Sequence, residues 1–232
     1  MRLLILILLF SLGADAQIIR ANPFYKATIS ALPTFIGQVG LASTDGENVT
    51  TGDLNTTGAT LLVASVASYT ATPEPTITDS RGNTWIPLTK QENFTGVVRC
   101  RLYYCYSPIT DASHSFSLSG TLSYPTIIVM AFSGTAGLYN AENGNIGTSP
   151  TSTGSITTVG SNEIVISALA SNRCSGLTGI TSGFTYYDIA NVLGAAFSIS
   201  IAYYIKPTAG SQNCTLTWCA SEAGAAVIAG FN

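Results

Sequence analysis

For acid–base, nucleophilic or metal chemistry this 232-residue chain has one histidine, five cysteines and twelve carboxylates. His114 lies in Ser113-His114-Ser115-Phe116-Ser117-Leu118, two and four residues from Phe116 and Leu118, so alternation puts its imidazole on or beside the apolar face of a strand. A single histidine excludes a multi-His zinc centre and routes any Ser-His-Asp arrangement through this residue. No Gly-x-Ser-x-Gly elbow accompanies it. Glycoside hydrolysis asks for two acids about 5 to 10 Å apart across a cleft. Glu74, Glu92, Glu142, Glu163 and Glu222 instead stand beside turn residues or at strand ends, where solvated carboxylates are ordinary. The expectation is a chain with no catalytic residues.

Binding chemistry has more candidates. Asp45, Glu47 and Asp53 share one loop and offer oxygen ligands for a structural calcium ion, although their spacing is not that of a defined calcium loop. In Val98 to Tyr104, alternation puts Val98, Cys100, Leu102 and Tyr104 on one face and Arg99, Arg101 and Tyr103 on the other. Arg99, Arg101 and Tyr103, with Tyr186 and Tyr187, are candidates for a sugar-stacking or protein-contact patch. Asn48, Asn55, Asn93 and Asn213 head Asn-x-Ser/Thr sequons and are glycosylation candidates. Simple up-and-down alternation after Glu163 brings Cys174 towards Cys214 as a disulfide candidate, and an odd count of five leaves at least one cysteine without a partner in the chain.

The elements that must hold these residues are strands. Short β-branched and aromatic runs are separated by Gly, Pro, Asn, Asp and Ser, with no amphipathic stretch of helical period. Expected strands are 38–43, 60–69, 76–79, 84–90, 97–106, 114–119 and 126–133, then 155–159, 163–171, 184–189, 195–205, 214–218 and 225–231. Thr60 to Ala67 and Thr126 to Phe132 are apolar on both sides, as strands covered on each face would be. This predicts an all-β, two-sheet antiparallel β-sandwich of jelly-roll type as one domain over 36–232, with 17–35 as an N-terminal arm or strand. The Gly-, Asn- and Thr-rich segment 135–154 reads as its longest loop.

Arg2, the apolar run Leu3 to Leu12 and Ala14-Asp15-Ala16 form a secretory signal peptide over 1–16, with cleavage before Gln17. Its apolar core, about ten residues, falls short of the roughly twenty that span a bilayer. Secretion, to the extracellular space or cell surface, is the expected location. Charged residues are 9% of the chain and net charge is −3, so a hydroxyl-rich surface is expected and no basic face exists to neutralise nucleic-acid phosphates.

Asn55-Thr56-Thr57-Gly58-Ala59, Thr78-Asp79-Ser80-Arg81-Gly82-Asn83-Thr84-Trp85, Val98 to Pro108, His114 to Gly120, and Tyr124-Pro125 through Ala131-Phe132-Ser133-Gly134 together resemble β-sandwich domains of exported and cell-surface bacterial proteins and of some phage structural proteins. The resemblance is one of pattern over roughly 80 central residues. It carries no catalytic motif and implies location and fold rather than activity. Cys100 and Cys105 on the Val98 strand depart from it.

Two functions fit. The first is a non-catalytic extracellular sandwich that binds a glycan or a surface protein, as in adhesion. The second is a self-assembling subunit of a surface filament or coat, joined to its own copies by N-terminal strand donation. A secreted hydrolase is a third reading, for which no nucleophile, metal or acid pair stands out.

Overall fold

The computed structural model describes residues 32–43, 48–70, 73–95, 97–120, 124–135, 137–190, 197–219 and 221–232. The expected leader and the arm up to residue 31 lie outside the described residues. The chain is all-β and antiparallel throughout its named strands.

The first set comprises β1 (Thr34–Ala42), β2 (Val49–Thr50), β3 (Leu61–Tyr69), β4 (Thr76–Asp79), β5 (Ile86–Pro87), β6 (Gln91–Asn93), β7 (Val98–Tyr106), β8 (Phe116–Ser119) and β9 (Thr126–Ser133). The second comprises β10 (Tyr139–Thr148), β11 (Thr151–Thr158), β12 (Glu163–Asn172), β13 (Gly179–Ile180), β14 (Thr185–Ala190), β15 (Phe197–Lys206), β16 (Gly210–Thr217) and β17 (Ala223–Phe231). In the first set the large sheet runs β1-β9-β3-β7-β5, with β6 also on β7, and the small sheet runs β2-β8-β4. The second set repeats this as β10-β17-β12-β15-β14 and β11-β16-β13. In each set the chain shuttles between sheets so that its first strand lies beside its last, which is jelly-roll winding. The expected two-sheet sandwich is therefore present, and it occurs twice.

Register makes the repeat residue-specific. Leu61 faces Phe132 and Tyr106 on its two neighbouring strands, and Ile164 faces Phe231 and Ile205. Even the irregularity in the first strand recurs, between Phe35 and Gly37 and between Tyr139 and Ala141.

Three apolar layers follow from period-two alternation. Leu61, Val63, Leu102, Ile128 and Met130 point from the first large sheet into a layer shared with Ile164, Ile166, Ile199, Ile201 and Val227 of the second. Leu62, Val66, Ile127 and Val129 point the other way, onto Phe116 and Leu118 of the small sheet. Val165, Leu169 and Ile228 likewise meet Leu216 and Trp218. Burial of both faces explains why β3, β9, β12 and β17 read as unbroken apolar runs. Each such Leu, Ile or Val side chain contributes about 1.5–3 kcal/mol.

The structure departs from the sequence expectations at several places. Segment 135–154, expected as a loop, contains β10 and the start of β11. β10 is an edge strand with exposed or half-buried residues, held by backbone pairing to β17, so its sequence carries no apolar periodicity. With β10, β11 and β13 the second half has two sheets of its own, where one sandwich over 36–232 was expected. Thr34 and Phe35, assigned to the arm, open β1. The disulfide joins Cys174 to Cys219, not to Cys214. β16 starts at Gly210, so Cys214 is mid-strand and buried between the sheets of the second sandwich, while Cys219 follows the strand end and reaches the Cys174 loop with a Cα separation of 5.8 Å.

Among the described residues no helix is long and apolar enough to cross a membrane.

Candidate functional site

The residues singled out from sequence do not form one patch. His114 is fully buried. Its ring stacks on Phe116 at 4.5 Å, Nδ1 lies 2.9 Å from Thr56 Oγ1, and Nε2 lies 3.2 Å from Asp79 Oδ1 without the alignment of a hydrogen bond. Asp79 is the hub of the turn that the sequence Asp79-Ser80-Arg81-Gly82-Asn83 encodes. It accepts from the Arg81 and Asn83 backbone N–H groups and from the Trp85 indole at 2.7 Å. Burial works to raise its carboxyl pKa, but these donors and His114 outweigh it and hold the group below the usual 3.8. This Thr-His-Asp cluster has no accessible side chain, since Thr56 is as buried as His114, and it pins three loops together.

Arg99 and Arg101, expected at the surface, face the small-sheet side of β7 and are neutralised there. Arg99 is 5% exposed and pairs with Glu92 at 2.6 Å, with further donation to Thr70 O. Arg101 pairs with Glu74 and donates to Leu88 O. Tyr103 is buried, its hydroxyl 3.1 Å from Glu74. Tyr186 is exposed on β14, in the other sandwich, and Tyr187 is half-buried against Phe35 with centroids 5.6 Å apart. Two-residue alternation separated the faces of β7 correctly but did not say that its polar face is covered as well.

Asp45 and Glu47 lie outside the described residues, and Asp53 is exposed. Among the described residues no three His, Cys, Asp or Glu side chains gather as a metal site would require. Asn48, Asn55 and Asn213 are exposed. Asn93 is not open to a glycan: it is 6% exposed and its amide nitrogen donates to Gly147 O and Gly224 O across the seam between the sandwiches.

A surface with binding geometry lies along the β5 edge of the first sandwich. β5 is two residues long against nine in β7, so the last part of β7 is left uncovered. A cavity of ≈ 420 Å³ opens there between Asn83, Ile86, Tyr106, Ser107 and Ile109. A second, of ≈ 310 Å³, adjoins it through Ile86 and is lined by Leu88, Thr89, Tyr104, Tyr139 and Glu142. Between them runs a row of three phenol rings. Tyr104 lies 6.4 Å from Tyr106 and 6.1 Å from Tyr139, with planes inclined by 31° and 23°. Tyr106 and Tyr139 are 48% and 38% exposed.

β7 alternation sets Tyr104 and Tyr106 on one face, and β10, running out beside β17, brings Tyr139 to them across the seam. Burial, then Tyr106 and Glu142, push the Tyr104 hydroxyl pKa up, and burial, Glu142 and Tyr104 do the same for Tyr139. The Tyr104 and Tyr139 hydroxyls are therefore neutral, and the three rings offer apolar faces and hydroxyl rims. The Glu142 carboxylate accepts from Thr89 N at 3.0 Å and Thr89 Oγ1 at 2.6 Å, which leaves lone pairs over. Sequence reasoning missed this row because Tyr139 stood in a segment without apolar periodicity. The available signal was the shared spacing of Tyr104 to Pro108 and Tyr203 to Pro207, which marks the duplication.

The chain matches no protein family model, no curated protein and no solved structure.

Proposed function

We propose that the protein is an exported, non-catalytic sandwich that binds a neutral glycan along the β5 edge. The observation that carries this reading is the row Tyr106, Tyr104 and Tyr139 between two adjoining cavities, in which Tyr106 and Tyr139 are exposed and Tyr104 is buried between them. Sugar rings present C–H faces that pack on aromatic faces, and hydroxyl rims that need donors and acceptors such as Asn83, Ser107, Thr89 and Glu142. The nearby charges favour a neutral sugar over an acidic one, because Arg101 is already paired with Glu74. A disulfide suits an oxidising compartment outside the cytoplasm.

The test is titration calorimetry of the oxidised chain against soluble gluco-, galacto- and manno-oligosaccharides. Saturable binding that Tyr106→Ala weakens by roughly tenfold, about 1.4 kcal/mol, supports the reading. Absence of binding to every member, or binding that Tyr106→Ala leaves unchanged, overturns it.

A further inference from the structure

The duplication gives the seam between the sandwiches two ends built from equivalent positions, which differ where Tyr187 stands at one end and, on β7, where Tyr106 stands in place of Ile205. At one end Phe35 of β1 stacks on Tyr187 of β14 (5.6 Å, 22°) and on Tyr203 of β15 (4.8 Å, 14°). At the other, Tyr139 of β10 is the counterpart of Phe35, since Phe35 pairs with Phe132 and Tyr139 with Phe231. Tyr104 is the counterpart of Tyr203, since Tyr104 pairs with Val63 and Tyr203 with Ile166.

The counterpart of Tyr187 is Leu88. Tyr187 lies opposite Ile201 on β15, and Leu88 N donates to the oxygen of Leu102, the residue equivalent to Ile201 on β7. Both side chains contribute to the shared apolar layer. Where Tyr187 closes one end with a stacked ring, Leu88 stops short of Tyr139 and the ≈ 310 Å³ cavity stands beside it. That cavity is lined by Leu88, Tyr104, Tyr139, Thr89 and Glu142 together with Ile86, Pro87 and Arg101, and the shorter Leu88 side chain leaves it without the ring that Tyr187 supplies at the other end.

The geometry points to a slot for a single pyranose ring of the neutral glycan, seated where the other end of the seam holds the Tyr187 ring. This deepens the glycan-binding reading and rests on it. The volume lies at the lower end of ligand pockets, which run from about 300 to 1,000 Å³, and so suits one ring rather than an oligomer. The ring lies against the Tyr139 face while a hydroxyl donates to Glu142, whose carboxylate is already oriented by Thr89. The Phe35 end is closed, because its ring position is filled from within the chain.

Two experiments test the slot. In the first, methyl glucosides, galactosides and mannosides compete with a bound oligosaccharide on the unaltered protein. In the second, Leu88→Tyr restores the missing ring, and its fold is checked by near-ultraviolet circular dichroism. The expected results are displacement by at least one single-ring glycoside, and loss of oligosaccharide affinity by roughly tenfold or more in Leu88→Tyr. Oligosaccharide binding that no single-ring glycoside displaces overturns the slot while leaving the glycan reading standing. So does a folded Leu88→Tyr with unchanged affinity. No binding of any oligosaccharide by the unaltered chain overturns both. If Leu88→Tyr does not fold, the competition experiment decides alone.

Discussion

Tyr104 on β7 and Tyr203 on β15 hold equivalent register positions, and each turns its ring onto the terminal aromatic residue of the opposite sandwich: Tyr104 lies 5.4 Å from Phe231 and Tyr203 lies 5.5 Å from Phe132. Phe132 and Phe231 belong to the last strand of their own sandwich and are both fully buried. The two sandwiches thus grip one another reciprocally, as subunits do across a two-fold interface.

This reciprocity predicts that Phe132→Ala and Phe231→Ala destabilise the protein by similar amounts, about 3–5 kcal/mol each. It also predicts that both unfold in one transition, because each cavity opens in the layer shared by the two large sheets. Urea titrations followed by far- and near-ultraviolet circular dichroism check this. Separate melting of one half in either variant would contradict a shared layer.

The Asp79 hub should give the fold an acid limb. Its carboxyl pKa is held below 3.8, so it contributes stability at pH values above the unfolded value, and that stability is lost as pH falls through the folded value. Glu92 acts in the same direction: burial raises its pKa, but Arg99 and Lys90 outweigh that and lower it. Asp79→Ala leaves the Trp85 indole and two backbone N–H groups without their acceptor, at a cost of about 2–4 kcal/mol near neutral pH. Urea midpoints between pH 3 and pH 7 should converge for the two proteins towards the acid end. A constant gap would show that the carboxylate charge is not the source.

The thiols should be silent in the native protein. Burial raises Cys100 to about 12 and Cys105 and Cys214 to about 11, while Cys174 and Cys219 are bonded to each other. Iodoacetamide at pH 8 is expected to add nothing to the folded chain and to label Cys100, Cys105 and Cys214 after unfolding. Peptide mass mapping reads both states, and labelling of Cys219 without reductant would contradict the pairing. Removing the disulfide, which closes a span of 45 residues, should cost about 3–4 kcal/mol.

Glycosylation should spare Asn93. Its amide bridges β6 to Gly147 and Gly224 of the second sandwich, so a sugar on that nitrogen would break the seam. Expression in a host that modifies sequons, followed by glycopeptide mapping, is expected to find sugar among Asn48, Asn55 and Asn213 and none on Asn93. Occupancy at Asn93 in folded protein would contradict the buried amide.

β3 and β9 were readable because both faces of the large sheets are buried, and runs such as Thr126 to Phe132 announce this, while β7 was readable from its alternation. β10 was unreadable for the opposite physical reason: main-chain bonds to β17 hold Asn143, Gly144 and Asn145 in a strand with no apolar face to signal it. The site followed the same division. Tyr104 was assigned to the apolar face of β7, but its proximity to Tyr139 depends on a seam between two sandwiches. Arg99 and Arg101 misled because alternation sorts residues by face without saying whether that face meets solvent or Glu92 and Glu74.

The most direct test of the glycan groove is a backbone amide NMR titration of the oxidised chain with a neutral hexose oligosaccharide that binds it. Shift changes are expected to saturate together and cluster at 82–89, 104–109 and 139–142, with the Tyr186 face of β14 undisturbed. Saturable changes centred on Tyr186 or on the outer small sheets, with the Tyr139 region unmoved, would contradict the groove.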